Sequence, residues 1–262
     1  TLLHDGRLWV IGGNEGYPVC DVWSSDNGVN WVRESEDNGT LSCSSHKILQ
    51  VQEGFYAIGG SDSRRNATDG VWLSFDLVDW TLMTRNDHFS PRYGHGLVAF
   101  ADRLWLFGGQ ADKASAEVWS STDGYHWQLE VESAPFGGRV NPNIVELGGR
   151  LWLIGGGSDD IDIWSSADGV NWTQELETAP FIANRGVKAT VHDSEIYVVG
   201  SHSPGGLDDP TVWSSPDGIN WAQKNTAAPF GFRTGFGLIS FAGKLFVIAG
   251  RDGGFKNDIW SS

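Results

Sequence analysis

The stretch WSSDNGVNW, residues 23–31, places two tryptophans eight residues apart around a serine pair and an Asp-Asn-Gly turn. It returns as WLSFDLVDW (72–80), WSSTDGYHW (119–127), WSSADGVNW (164–172) and WSSPDGINW (213–221), and WSS (260–262) opens a sixth copy. A second marker is an apolar run closed by two small residues: LWVIGG (8–13), FYAIGG (55–60), LWLFGG (104–109), LWLIGG (151–156), IYVVGS (196–201) and LFVIAG (245–250). The first marker advances in steps of 49, 47, 45, 49 and 47 residues, the second in steps of 47, 49, 47, 45 and 49. Two independent markers with one step define an internal repeat. All 14 tryptophans fall on repeat positions.

Each repeat reads as four short strands. In the third copy, GHGLVAF (94–100) leads and the apolar run follows. EVWSS (117–121) then carries the first marker tryptophan and HWQLE (126–130) the second. No stretch keeps an apolar period of 3.6, and turn residues interrupt every few positions. Six four-stranded units predict an all-β, six-bladed β-propeller. Residues 1–262 are read as a single domain, with repeats at approximately 1–36, 37–85, 86–132, 133–177, 178–226 and 227–262. The sixth copy stops before its hairpin turns. That blade is therefore expected to be incomplete, with about 23 strands in all and the strand carrying Trp260 left at an edge. The chain starts at Thr1 without a visible signal peptide and is expected to be a processed or truncated piece.

Composition narrows the partners. The formal net charge is −15, which disfavours nucleic acid and anionic membrane surfaces, since both are bound by basic clusters. There is no run of 18 apolar residues, so no inserted helix is expected. The two cysteines, Cys20 and Cys43, form no CxxC pair. They are expected on loops of adjacent blades at one face, where a disulfide between them would indicate an oxidising compartment. The histidines are scattered without HExxH, and no EF-hand loop occurs. No metal and no cofactor is expected.

The pattern Pro-Arg-x-Gly-His, then an apolar run with Gly-Gly, then a tryptophan about ten residues on, resembles the kelch repeat. PRYGHGLVAFADRLWLFGGQADKASAEVW (91–119) shows it best, and the resemblance extends over essentially the whole chain. It implies a kelch-like propeller of the galactose-oxidase central-domain type. The hairpin also resembles the Asp-box of sialidases, S-x-D-x-G-x-x-W, matched by Ser24, Asp26, Gly28 and Trp31. In the copies at 165–172 and 214–221 the aspartate shifts one place, to Asp168 and Asp217, and in the second repeat the box has decayed to Phe75-Asp76-Leu77. Asp-boxes in that family are structural. The Arg-Ile-Pro and the Tyr/Glu pair of a sialidase are missing. The tryptophans of each hairpin, Trp164 and Trp172 for example, are expected to pack together across a tight Asp-Gly turn.

Function is therefore sought on the opposite loops. Counting back 16 residues from the first small residue of each pair gives Cys43, Arg92, Arg139 and Arg233, with Arg185 at 15 in the shorter fifth repeat. Four arginines thus open the innermost strands of consecutive blades. They are candidates to ring the channel mouth, where guanidinium suits carboxylate, sulfate or phosphate. The alternative is that Asp21, Glu117, Asp162 and Asp258, two residues before marker tryptophans, pair with them as staples between blades. Tyr17, Arg64, Tyr93, His202 and Arg251 are further loop candidates. The leading expectation is a non-catalytic, secreted, surface-exposed or periplasmic recognition module for an acidic glycan or acidic protein segment. The alternatives are an enzyme acting on an anionic sugar, epimerase-like or a lyase, and a purely structural module.

Overall fold

The computed structural model describes residues 1–14, 18–36, 44–51, 54–62, 64–83, 88–157, 162–181, 186–201, 210–226 and 228–262. The described residues contain 23 strands and no helix. Blade 1 is β1 (Leu2–His4), β2 (Arg7–Asn14), β3 (Pro18–Ser25) and β4 (Val32–Ser35). Blade 2 is β5 (Lys47–Val51), β6 (Gly54–Ile58), β7 (Val71–Ser74) and β8 (Thr81–Leu82), and blade 3 is β9 (Gly96–Phe100), β10 (Arg103–Phe107), β11 (Val118–Ser121) and β12 (Gln128–Val131). Blade 4 is β13 (Asn143–Leu147), β14 (Arg150–Ile154), β15 (Ile163–Ser166) and β16 (Thr173–Leu176), and blade 5 is β17 (Lys188–His192), β18 (Glu195–Ser201), β19 (Thr211–Ser215) and β20 (Ala222–Asn225). Blade 6 is β21 (Gly237–Phe241), β22 (Lys244–Arg251) and β23 (Phe255–Ser261).

Each blade is an antiparallel meander, and the sixth has three strands with β23 at its edge. The chain is thus an all-β, six-bladed propeller. It divides into two compact units, Thr1–Val140 with blades 1 to 3 and Asn141–Ser262 with blades 4 to 6.

The apolar runs are the second strands, buried on both faces. Leu104, Leu106 and Phe107 of β10, and Leu151, Leu153 and Ile154 of β14, are almost fully buried. The cores lie between blades. Trp9, Ile11 and Val22 of blade 1 pack with Phe55, Ala57 and Trp72 of blade 2. Ile154 and Ile163 of blade 4 pack with Ile196 and Val198 of blade 5. Each large side chain so buried contributes about 1.5–3 kcal/mol.

Every residue of Trp-Ser-Ser has its own task. The indole N–H of Trp164 donates to Asp162 at 2.7 Å. The first serine, Ser165, donates to Glu175 of the outer strand at 2.6 Å. The second, Ser166, accepts the Gly169 amide at 2.9 Å and donates to Asp168 at 3.1 Å. Asp168 in turn accepts the Val170 and Asn171 amides at 2.9 and 2.7 Å. Polar side chains therefore satisfy the backbone of the whole turn.

This corrects the hairpin expected from sequence. The turn is a capped loop from 167 to 172, wider than a two-residue hairpin. The capping residue in blade 1 is Asn27, which accepts the Val29 and Asn30 amides. Asp26 instead pairs with Arg7 at 2.7 Å. The second copy keeps the geometry: Ser74 and Asp76 make the same bonds, and Leu77 takes the positive φ of 68° that glycine takes elsewhere. The two marker tryptophans of a blade also share a neighbour. A phenylalanine from the segment that leads into the blade lies against both. Phe89 meets Trp119 and Trp127 at 6.4 and 5.2 Å, and Phe181 meets Trp213 and Trp221 at 6.0 and 4.8 Å.

The turn glycine serves the preceding blade. A Cβ on Gly124 would lie 2.1 Å from the Tyr56 ring, and one on Gly218 2.3 Å from Trp152. Tyr56 and Trp152, each three residues before a small pair, therefore pack on the next blade's hairpin. Two sequence markers are the two sides of one contact.

Burial works to raise the pKa of Asp168, but bonds from the Asn171 side chain and the Asn171 and Val170 amides outweigh it and hold the pKa at about 2. A lowered carboxylate pKa adds stability that is complete above the ordinary 3.8 and is lost as pH falls toward 2. We expect Asp168→Ala to cost about 1–2 kcal/mol in urea unfolding at pH 7. Asp168→Asn, the residue type already at position 27, should cost less, and its deficit should shrink between pH 4 and pH 2.

Candidate functional site

The arginines that open the first strands are interior residues. Arg92 is 0% exposed, Arg139 3% and Arg233 2%. Arg92 has its backbone on blade 2: its amide donates to Thr68 and its carbonyl accepts the Gly60 amide at 2.9 Å. Its side chain reaches into blade 3. There it donates to the Gly108 carbonyl at 2.9 Å, to Ser90 at 3.0 Å and to Glu117 at 2.5 Å. Glu117 also accepts the indole N–H of Trp119 at 2.9 Å. Burial alone would raise the Glu117 pKa, but the Trp119 and Arg92 bonds lower it below the ordinary value.

Arg233 repeats this arrangement with Asp258 at 2.5 and 3.1 Å, the Ala249 carbonyl at 2.9 Å and the Phe230 carbonyl. Asp258 accepts the Trp260 indole N–H at 2.9 Å, and the Arg233 bond leads the causes that hold its pKa at about 2. Arg139 donates to the Phe136 carbonyl at 2.7 Å, and its backbone docks on blade 3 through Ser115 and Gly109. Arg92 and Arg233 are thus bound to carboxylates. These two are held within the blades, and Arg139 is buried against the Phe136 carbonyl. Arg185, Tyr17 and His202 lie outside the described residues.

The staple explains the small pair. A Cβ on Gly59 would stand 2.8 Å from the Arg92 carbonyl, and one on Gly108 2.7 Å from that of Arg139. Only glycine allows the incoming arginine backbone so close. Where the arginine is replaced by Cys43, the acid is replaced by Gly70, and the Trp72 ring folds over that glycine. Cys20 is buried and disulfide-bonded, and Cys43 lies outside the described residues.

Next after the residue at the arginine position, two residues make an isolated antiparallel bridge in three blades, and these differ from blade to blade. They are Ser44 and Ser61 in blade 2, Tyr93 and Gln110 in blade 3, and Thr234 and Arg251 in blade 6. Tyr93 is 37% exposed. Arg251 is exposed and lies over the Phe255 ring at 5.5 Å. With Phe232, Thr234, Asp252 and Gly253 it lines an open depression. Asp252 pairs with Lys256 at 3.0 Å, so this carboxylate is engaged beside the arginine. Arg64, in blade 2, is exposed and donates its amide to Asp62 at 2.9 Å. The bridges were hidden in the sequence because their partners lie 17 residues apart with no shared residue type. Their constant distance from the small pair is the signal that finds them.

One buried group carries no such partner. His95, 0% exposed, has neither ring nitrogen hydrogen-bonded. Burial, together with Lys47, Arg92 and His46, pushes its pKa well below the ordinary 6.5.

Residues 75–186 match the DUF6242 beta propeller domain. Among curated proteins, the chain is similar to Tip elongation aberrant protein 3 of Schizosaccharomyces pombe, 31% identical over 98 residues, 35% of this chain and 8% of that protein. It is also similar to Leucine-zipper-like transcriptional regulator 1 of Mus musculus and of Homo sapiens, 25% identical over 124 residues, 42% of this chain and 15% of each relative. The match therefore spans a small part of these relatives' length.

A histidine with a lowered pKa supports the fold fully above 6.5 and ever less as pH falls below it, because the unfolded chain takes up the proton first. Wild-type stability should therefore decline from pH 6.5 to 5. His95→Leu should flatten that part of a urea-unfolding pH series.

Proposed function

We propose that this propeller is a non-catalytic recognition module. It takes an acidic glycan or acidic protein segment on the face where the first strands begin, and Arg251 supplies the cation. The observation that carries this reading is the contrast between two kinds of arginine. Those at the repeat position are buried and bonded within the blades, as Arg92 is to Glu117. Arg251 stands exposed at the bridge position, oriented by Phe255 and bordering a depression. A guanidinium held against a ring loses less freedom when it binds a carboxylate or sulfate. Tyr93 gives the corresponding position in blade 3 an aromatic surface. Blade-specific residues on a repeated frame are a common way for a propeller to acquire a ligand.

The disulfide at Cys20 supports placing the protein outside the cytosol, in a secreted, surface or periplasmic setting. Nucleic acid and membrane insertion are no part of this reading, consistent with the net charge of −15.

Calorimetry against sulfated glycans, sialylated glycans and acidic peptides is expected to find a binder whose affinity falls about ten-fold in Arg251→Ala. Proton NMR of the bound sugar should show no conversion. Undiminished binding by the variant would overturn the site, and turnover would replace the module with an enzyme on an anionic sugar.

A further inference from the structure

In the unit Asn141–Ser262, β13, β17 and β21 are the first strands of their sheets, so each has one edge without a strand partner. Between blades 4 and 5 a side chain caps that edge. Asn143 of β13 accepts the Ala189 amide through Oδ1 at 3.1 Å and donates through Nδ2 to the Val187 carbonyl at 3.4 Å. A carboxamide can do both because it carries a donor and an acceptor.

One blade on, Lys188 takes the place of Asn143. Asn143 stands opposite Ile154 in its ladder, the residue before Gly155, and Lys188 opposite Val199, the residue before Gly200. The group facing Lys188 is equally well defined. Ala189 pairs with Val198, and Leu238 pairs with Val247 at the same distance from a two-residue hairpin. The Leu238 amide therefore leaves β21 on the open edge, as the Ala189 amide leaves β17. Lys188 lies on the same side of β17 as His192, whose Nδ1 meets Ser240 of β21 at 2.8 Å. The residue of β21 between Phe236 and Leu238 is Gly237, which adds no side chain at this level.

An ammonium has three donors and no acceptor. It cannot receive the Leu238 amide as Asn143 receives that of Ala189. The Lys188 side chain makes no hydrogen bond or ion pair with the described residues. Burial lowers its pKa. Two sets of donors thus face this edge, where the backbone offers the Phe236 carbonyl, the counterpart of that of Val187, to which the Lys188 ammonium makes no hydrogen bond.

We propose that Lys188 and the Leu238 amide form a site for one oxyanion, a carboxylate, sulfate or phosphate group, at the boundary of blades 5 and 6. This goes beyond the Arg251 reading. Leu238 does not line the Arg251 depression, so failure of one leaves the other standing.

The test uses ¹⁵N-labelled protein titrated with inorganic phosphate, sulfate or acetate at constant ionic strength. At least one of the three is expected to shift the Leu238 amide resonance saturably, and the ranking among them identifies the preferred group. Lys188→Asn recreates the amide cap of blade 4, so it is expected to fold and to bind that anion at least about ten-fold more weakly. Wild-type anion affinity in K188N, or a Leu238 resonance that responds to none of the three anions, would overturn the site.

Discussion

The frame depends on an arginine that belongs to two blades at once. The backbone of Arg92 is bonded to blade 2 and its guanidinium to blade 3. A buried guanidinium is costly unless its charge is matched, and removing the partner of such a pair typically costs about 3–5 kcal/mol. The other repeat features follow from meeting that demand. An acid two residues before the marker tryptophan neutralises the charge, and the indole N–H steadies the acid. The glycine pair lets the arginine carbonyl approach. Arg233, Asp258 and Trp260 repeat the set in blade 6.

This division of labour separates frame from function. Repeat positions are bonded internally: Ser165 and Ser166 to Glu175 and the turn amide, Arg92 and Arg233 to acids, Tyr56 and Trp152 against hairpin glycines. They have little left to offer a ligand. What remains for recognition is what differs between blades at one structural level, such as Tyr93 with Gln110 and Thr234 with Arg251. Lys188 is a departure of the same kind, since a donor-only side chain stands where blade 4 has an amide.

The blade count and the open edge at Trp260 were legible in the sequence because the two markers report contacts that recur with every blade. The turn chemistry was legible only in part. Asp26 satisfied a spacing pattern, yet Asn27 caps the turn, since spacing cannot tell which of two adjacent polar residues faces the amides. Leu77 read as a loss of the turn because a leucine at positive φ is rare, but burial at 0% exposure holds it there. The arginines were found by position and their role was left open. Arg92 meets Glu117 at a separation of 25 residues, and no local pattern shows whether a guanidinium so far along the chain is free or engaged.

The central claim is that these arginines hold blades together. A double-mutant cycle on stability between Arg92→Met and Glu117→Gln tests it most directly. The account predicts single losses of about 3 kcal/mol each and a double variant well short of their sum, with a coupling of about 2–3 kcal/mol. Small, additive losses would contradict it and return Arg92 to the candidates for ligand contact.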